Sequence, residues 1–158
     1  MILKKAEIKD FDFFYNIKCE EDNLFWCGYF TKPERGNLYA FWDKNITDNS
    51  LRDIYIATID GESVGYAYID YNSEAEIEIS LGVSNKMSGK GYGTDIIRNL
   101  VEKYKETYRY IVAYVRKDNI RSQKAFFKAG FVRLDETKTV IDERENELAL
   151  DKWQYNEG

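Results

Sequence analysis

The segment from Leu81 to Gly93 constrains this chain more than any other. Leu81-Gly82-Val83 ends an alternating apolar strand, Ser84-Asn85-Lys86-Met87 turns, and Ser88-Gly89-Lys90-Gly91-Tyr92-Gly93 opens a helix expected to begin near Thr94. Glycines at alternate positions leave a row of backbone N–H groups that no side chain covers. They lie at a helix N-terminus, where orphan donors and the positive end of the helix dipole favour a bound phosphate. The bland reading is a glycine-rich turn that only caps a helix. Two familiar phosphate loops are excluded by spacing. A P-loop requires Ser or Thr directly after Gly-Lys, and Lys90 is followed by Gly91. A dinucleotide-binding turn requires its third glycine three residues after the second, and Gly93 comes one early.

Around this loop the pattern alternates strands and helices. Ile2 to Ala6 reads as a strand, and Asp10 as the N-cap of a helix to about Cys19 with Phe13, Phe14 and Ile17 buried. Glu20 to Asn37 mixes aromatics with charges, which suits either a loop shaping a site or an ordinary helix connection. Asn37 to about Ile46 resumes a helix. Ile54–Ile59, Val64–Tyr71 and Ala75–Leu81 alternate as an antiparallel meander, with Asp60-Gly61 as a two-residue hairpin turn. A helix from Thr94 to about Lys105 buries Ile96, Ile97, Leu100, Val101 and Tyr104. It is followed by a strand at Tyr110–Val115, a helix at Asn119–Ala129, and strand material at Phe131–Leu134, Thr137–Ile141 and Glu147–Leu150.

Composition removes whole classes of chemistry. The chain has no histidine, which excludes a Ser-His-Asp or Cys-His nucleophile system and any histidine-based zinc site. Cys19 and Cys27 are the only thiols, too few for a tetrahedral zinc site, and are expected to be reduced and structural. No metal is expected. The net charge of −5 argues against a nucleic-acid surface and mildly favours a cationic acceptor. No run of membrane-spanning length and no signal-peptide core is present, so a cytoplasmic location away from membranes is expected.

A second block makes the pattern specific. Asn119-Ile120-Arg121-Ser122-Gln123-Lys124-Ala125-Phe126-Phe127-Lys128-Ala129-Gly130-Phe131 resembles the Asn-x-x-Ser/Ala-x-x-x-Tyr/Phe-x-Lys-x-Gly-Phe block of the GNAT N-acetyltransferases. The glycine loop is similar to the coenzyme A pyrophosphate loop Gln/Arg-x-x-Gly-x-Gly of the same family, with Ser88 in the Gln/Arg position. By residue pattern the resemblance covers Glu74 to Phe131; by element order it covers Ile2 to Trp153. It implies one domain over residues 1–158, of α/β (α+β) class. That domain would have a mixed, mostly antiparallel central sheet, split at the cofactor site and flanked by helices.

The same resemblance implies acetyl-CoA as cosubstrate and acetyl transfer to a primary amine: a small amine, an amino sugar or a peptide amine. Ser88, Gly89, Lys90, Gly91, Tyr92, Gly93 and Thr94 would hold the pyrophosphate. Leu81 and Val83 would present backbone groups to the pantetheine, with the Val83 amide polarising the thioester carbonyl. Asn119, Ser122 and Phe126 would line the pantetheine arm, and Asn119 also suits the N-cap of its own helix. For the base, alternation puts Glu76 and Glu78 on one strand face, with Glu78 nearer the thioester. Glu20, Glu21, Asp22 and Glu34 would suit a cationic acceptor. The family's usual Tyr acid is Phe126 here, leaving Tyr92, Tyr114 or unaided thiolate departure. Monomer and homodimer both remain open. So does a non-catalytic acyl-CoA-binding regulatory module, motivated by Ser88 and Phe126.

Overall fold

The structure, a computed structural model, describes residues 1–157. Seven strands form one sheet: β1 (Ile2–Lys5), β2 (Arg52–Ile59), β3 (Glu62–Tyr71), β4 (Glu76–Val83), β5 (Tyr110–Arg116), β6 (Phe131–Ile141) and β7 (Glu147–Tyr155). Their spatial order is β1-β2-β3-β4-β5-β7-β6, and every neighbouring pair is antiparallel except β4–β5. Five α-helices accompany it: α1 (Phe11–Lys18), α2 (Glu21–Trp26), α3 (Arg35–Thr47), α4 (Tyr92–Tyr104) and α5 (Ile120–Lys128). The expected mixed, mostly antiparallel sheet with flanking helices is what forms.

Period-two alternation decides which helix packs on which face. Ile69, Ile77, Ile79, Ile111 and Ala113 join Ile96, Ile97, Leu100 and Val101 of α4 in one core. The opposite face of β2 and β3 offers Ile54, Ile56, Tyr66 and Tyr68 to Phe11, Phe14 and Ile17 of α1 and Trp42 of α3. Phe14 stacks on Trp42 with ring centroids 4.6 Å apart, and neither side chain is exposed. The β2–β3 connection has positive φ at both Asp60 and Gly61, as a twist-matched two-residue hairpin requires.

Several boundaries differ from expectation for local reasons. A 3-10 turn at Ile8–Asp10 precedes α1, and the Asp10 carboxylate accepts the Glu7 N–H at 2.8 Å instead of capping α1. Phe13 is only half-buried; the stripe is Phe11, Phe14 and Ile17, at spacing i, i+3, i+6. The aromatic segment after Cys19 contains α2. Helix α3 then begins at Arg35, because the Glu34 side chain accepts from the N–H groups of Gly36 and Asn37. Strand β6 runs unbroken through Asp135-Glu136 by shifting register between Arg133 and Thr137. Strand β7 reaches Tyr155, well past Leu150. Both cysteines are free, with Cys19 half-buried and Cys27 exposed, so Cys27 lies outside any core.

The paired aromatics that fix α1 and α3 against the sheet give a first prediction. Phe14→Ala should destabilise the protein by about 3–5 kcal/mol, measured by urea unfolding. A loss below about 1 kcal/mol would mean that this contact does not anchor the two helices.

Candidate functional site

The parallel pair β4–β5 holds together for three rungs only, Glu76 with Tyr110, Ile77 with Ile111 and Glu78 with Val112. Beyond Glu78 and Val112 the strands separate. β4 continues to Val83 and β5 to Arg116 without a shared ladder. The orientation of the freed backbone follows from the β3–β4 register. The Ser84 N–H donates to Val64 O at 2.9 Å, toward β3. Along an antiparallel strand alternate residues direct their N–H and C=O groups to opposite sides. Leu81 and Val83 therefore direct theirs away from β3, into the gap. The split is a wedge with peptide donors along one wall.

The glycine loop closes one end of that wedge. Gly89 has φ +81° and Gly91 φ +79°, left-handed values that side-chain-bearing residues rarely adopt, and nothing lies within 4 Å of a Cβ built on either. Gly91 is the N-cap of α4 and brings no side-chain cap, so the first N–H groups of the helix are left for a ligand or water. A Cβ on Gly93 would sit 3.9 Å from both Leu81 and Val83, which seats the first turn of α4 directly on the end of β4. Ser88, Gly89 and Lys90 are exposed, Tyr92 is half-buried and Thr94 is buried.

Glu78 stands at the vertex of the wedge, on the last rung before separation. Glu76 and Glu78 share a strand face and one neighbour, since the Asn72 amide donates to Glu76 at 3.1 Å and to Glu78 at 3.2 Å. Glu76 also lies 3.8 Å from Lys152. Desolvation works against the Lys152 charge, yet Glu76, Tyr114 and Glu136 outweigh it and hold its pKa above the usual lysine value. Glu76 is thus committed to an ion pair, whereas Glu78 has only the Asn72 amide. Tyr114 follows Val112 on the same face of β5, with the Lys138 ammonium 3.9 Å from its ring centroid.

On the α5 side, the Asn119 side chain accepts the Ser122 N–H at 3.2 Å, so its helix-capping role is realised. Phe126 is 3% exposed and packs edge-on against Phe131 at 5.0 Å, as a core residue.

The contacts that fasten the Glu20–Asn37 segment over the wedge were not visible in the sequence. Asn23 of α2 donates to Ile17 O at 3.1 Å and to Val83 O at 3.4 Å, and Glu20 accepts the Asn85 N–H at 2.8 Å. Arg116 at the end of β5 donates to Phe25 O at 2.9 Å, its guanidinium 4.9 Å from the Phe25 ring centroid and 5.1 Å from that of Trp26. The tip of the β6–β7 hairpin completes the cover. Glu143 accepts from the N–H groups of Phe30 and Thr31, and Arg144 stacks on Phe30. Apart from Asn23 with Ile17, these hydrogen bonds join residues 60 to 113 positions apart, beyond the reach of local pattern. Two of the four acids expected to face an acceptor are already engaged, Glu20 on Asn85 and Glu34 on α3. Among the described residues no cluster of metal-ligating side chains occurs, and no helix is long and apolar enough to cross a membrane.

A family model described as an acetyltransferase (GNAT) domain matches residues 1–132. An uncharacterized N-acetyltransferase of Methanocaldococcus jannaschii is 28% identical over 133 residues, spanning 83% of this chain and 78% of the relative. Solved structures share the fold at low identity. A spermidine N-acetyltransferase from Vibrio cholerae, bound to CoA and spermine, superposes with TM-score 0.81 at 12% identity, covering 96% and 93% of the two chains. A ribosomal-protein-alanine N-acetyltransferase from Brucella melitensis superposes at 0.78 with 19% identity and 98% coverage of both.

The loop geometry predicts two costs without any ligand. Gly91→Ala should destabilise by about 1 kcal/mol, because the left-handed φ is penalised although the space is open. Asn119→Ala should cost about 1 kcal/mol through the lost cap. Thermal melts would show both, and an unchanged melting point for Gly91→Ala would contradict the left-handed turn.

Proposed function

The chain belongs to the acetyltransferase (GNAT) domain family, and on that premise we propose that it transfers the acetyl group of acetyl-CoA to a primary amine by direct attack in a ternary complex. The observation that carries this reading is the wedge, where the β4–β5 ladder ends at Glu78 and the unfilled donors of β4 lead to the positive-φ loop at the start of α4.

In this reading the N–H groups of Gly89, Gly91, Gly93 and Thr94 hold the pyrophosphate, with Ser88, Lys90 and Tyr92 alongside. The Leu81 and Val83 N–H groups line the pantetheine, and Asn119 and Ser122 border it from α5. Phe126 contributes packing from beneath, as its burial dictates. The amine nitrogen attacks the thioester carbonyl carbon and passes its proton to the Glu78 carboxylate, directly or through water. The Val83 N–H stabilises the oxyanion, an interaction of about 3 kcal/mol for a well-placed donor. The C–S bond then breaks and the thiolate takes a proton from solvent, a tolerable leaving group given a thiol pKa of about 8.5. Holding amine and thioester together supplies about 7 kcal/mol more. A non-catalytic acyl-CoA-binding role is the second reading. It is favoured by the core burial of Phe126, which leaves no hydroxyl at the usual acid position. Thiol release with an amine panel separates the two.

Acetyl-CoA at a hundredfold over its Kd should add about 2.7 kcal/mol of stability. Gly91→Val should abolish that shift while the protein stays folded; no shift in the native protein would contradict the assignment of the loop. Glu78→Gln should leave cofactor affinity unchanged and lower turnover about 10²-fold. Turnover like the native enzyme's would place the base elsewhere.

A further inference from the structure

A groove of about 550 Å³ opens on the sheet face that carries Glu78, lined by Lys18, Tyr29, Glu34, Arg52, Tyr68 and Glu143 among others. Its floor is Tyr68, which is 8% exposed and whose hydroxyl has no hydrogen-bond partner. Burying a hydroxyl without a partner is costly, so a built site that leaves one is a site waiting for an acceptor atom. Tyr68 pairs with Ser80 of β4, so Glu78, two residues along on the same face, is its diagonal neighbour at about 7 Å.

The groove carries charges of both signs. Glu34 spends its carboxylate on the Gly36 and Asn37 N–H groups, and Glu143 spends its own on Phe30 and Thr31. Arg52 is paired with Asp70 and lies 4.7 Å from the Tyr68 ring centroid. Lys18 is different. Among the described residues it has no carboxylate partner: its ammonium meets the Cys27 sulfur at 3.5 Å and the Tyr66 hydroxyl, and stands 5.9 Å from the ring centroids of Tyr66 and Tyr68. Burial pushes the Tyr68 pKa well above the usual tyrosine value, so the hydroxyl remains a donor at neutral pH. An ammonium with no carboxylate partner and an unfilled hydroxyl thus line one groove, where a small anion would sit.

Resting on the acetyl-transfer reading, we infer that this groove is the tail subsite of the acceptor. The preferred acceptor is then an amine that also carries a small anionic group, a carboxylate or a phosphate monoester, held by Lys18 and Tyr68 while its amine faces Glu78. This adds an anionic group to the cationic acceptor that the net charge mildly favours.

The test is a kinetic panel with acetyl-CoA in which each amine is offered in matched forms. Amino acids are compared with their carboxamides, and aminoalkyl phosphates with the parent amino alcohols, so the two anions are distinguished. The anionic member should have a kcat/KM at least about tenfold higher, a discrimination within reach of one buried polar contact. Lys18→Gln and Tyr68→Phe should each raise KM about tenfold for the anionic acceptor, change kcat little, and leave the uncharged partner nearly unaffected. Tyr68→Phe should not lower the melting point, because the deleted hydroxyl has no partner. Transfer with equal or better rates for uncharged or polycationic amines would overturn this inference and leave the acetyl-transfer reading standing. So would variant effects equal across the panel. Failure of every amine to be acetylated would overturn both.

Discussion

The structure depends on one pairing choice: β4 and β5 run parallel inside a sheet whose other neighbours are all antiparallel. A parallel pair needs a long crossover, here supplied by the glycine loop and α4. The crossover helix packs its apolar stripe across β3 and β4 and starts with its N-terminus against Leu81 and Val83. Because the ladder holds for only three rungs, the strands part just where the helix dipole and the unfilled β4 amides can act on the same space. Wedge, donors and loop are therefore one consequence of topology.

The second layer of organisation is how the cover over the wedge is fastened. α2 is one and a half turns long and could not hold a position alone. It is tied by Asn23 to the end of β4 and by Arg116 to the end of β5, and the chain just after it is tied through Glu143 to the hairpin tip. Both walls of the split and the C-terminal hairpin thus set one short segment. Within that arrangement two carboxylates that look like acceptor contacts, Glu20 and Glu34, bond backbone amides, while Glu78 has only the Asn72 amide, Lys18 has no carboxylate partner and the Tyr68 hydroxyl has no partner.

Legibility in the sequence followed the range of the interactions. The β2–β3–β4 meander, the stripe of α4 and the glycine-rich turn ahead of it were all readable, because alternation, 3.6-residue periodicity and turn chemistry act within a few residues. The Asn119 cap was readable for the same reason. The start of α3 was misplaced because Glu is a less usual cap than Ser, Thr, Asp or Asn. The chain through Asp135-Glu136 looked broken because a bulge and a turn carry similar polar residues. The roles of Asn23, Arg116, Lys18 and Glu143 were hidden, since each depends on partners fixed only by the folded topology.

The central claim is that the peptide groups freed by the β4–β5 split form the acetyl-CoA site together with the loop ahead of α4. Amide chemical shifts followed by NMR during titration with acetyl-CoA test it directly. The account predicts the largest changes at Leu81, Val83, Gly89, Gly91, Gly93 and Thr94, with smaller ones near Asn119. Saturable binding whose shifts lie away from the wedge, or no binding at millimolar cofactor, would contradict it.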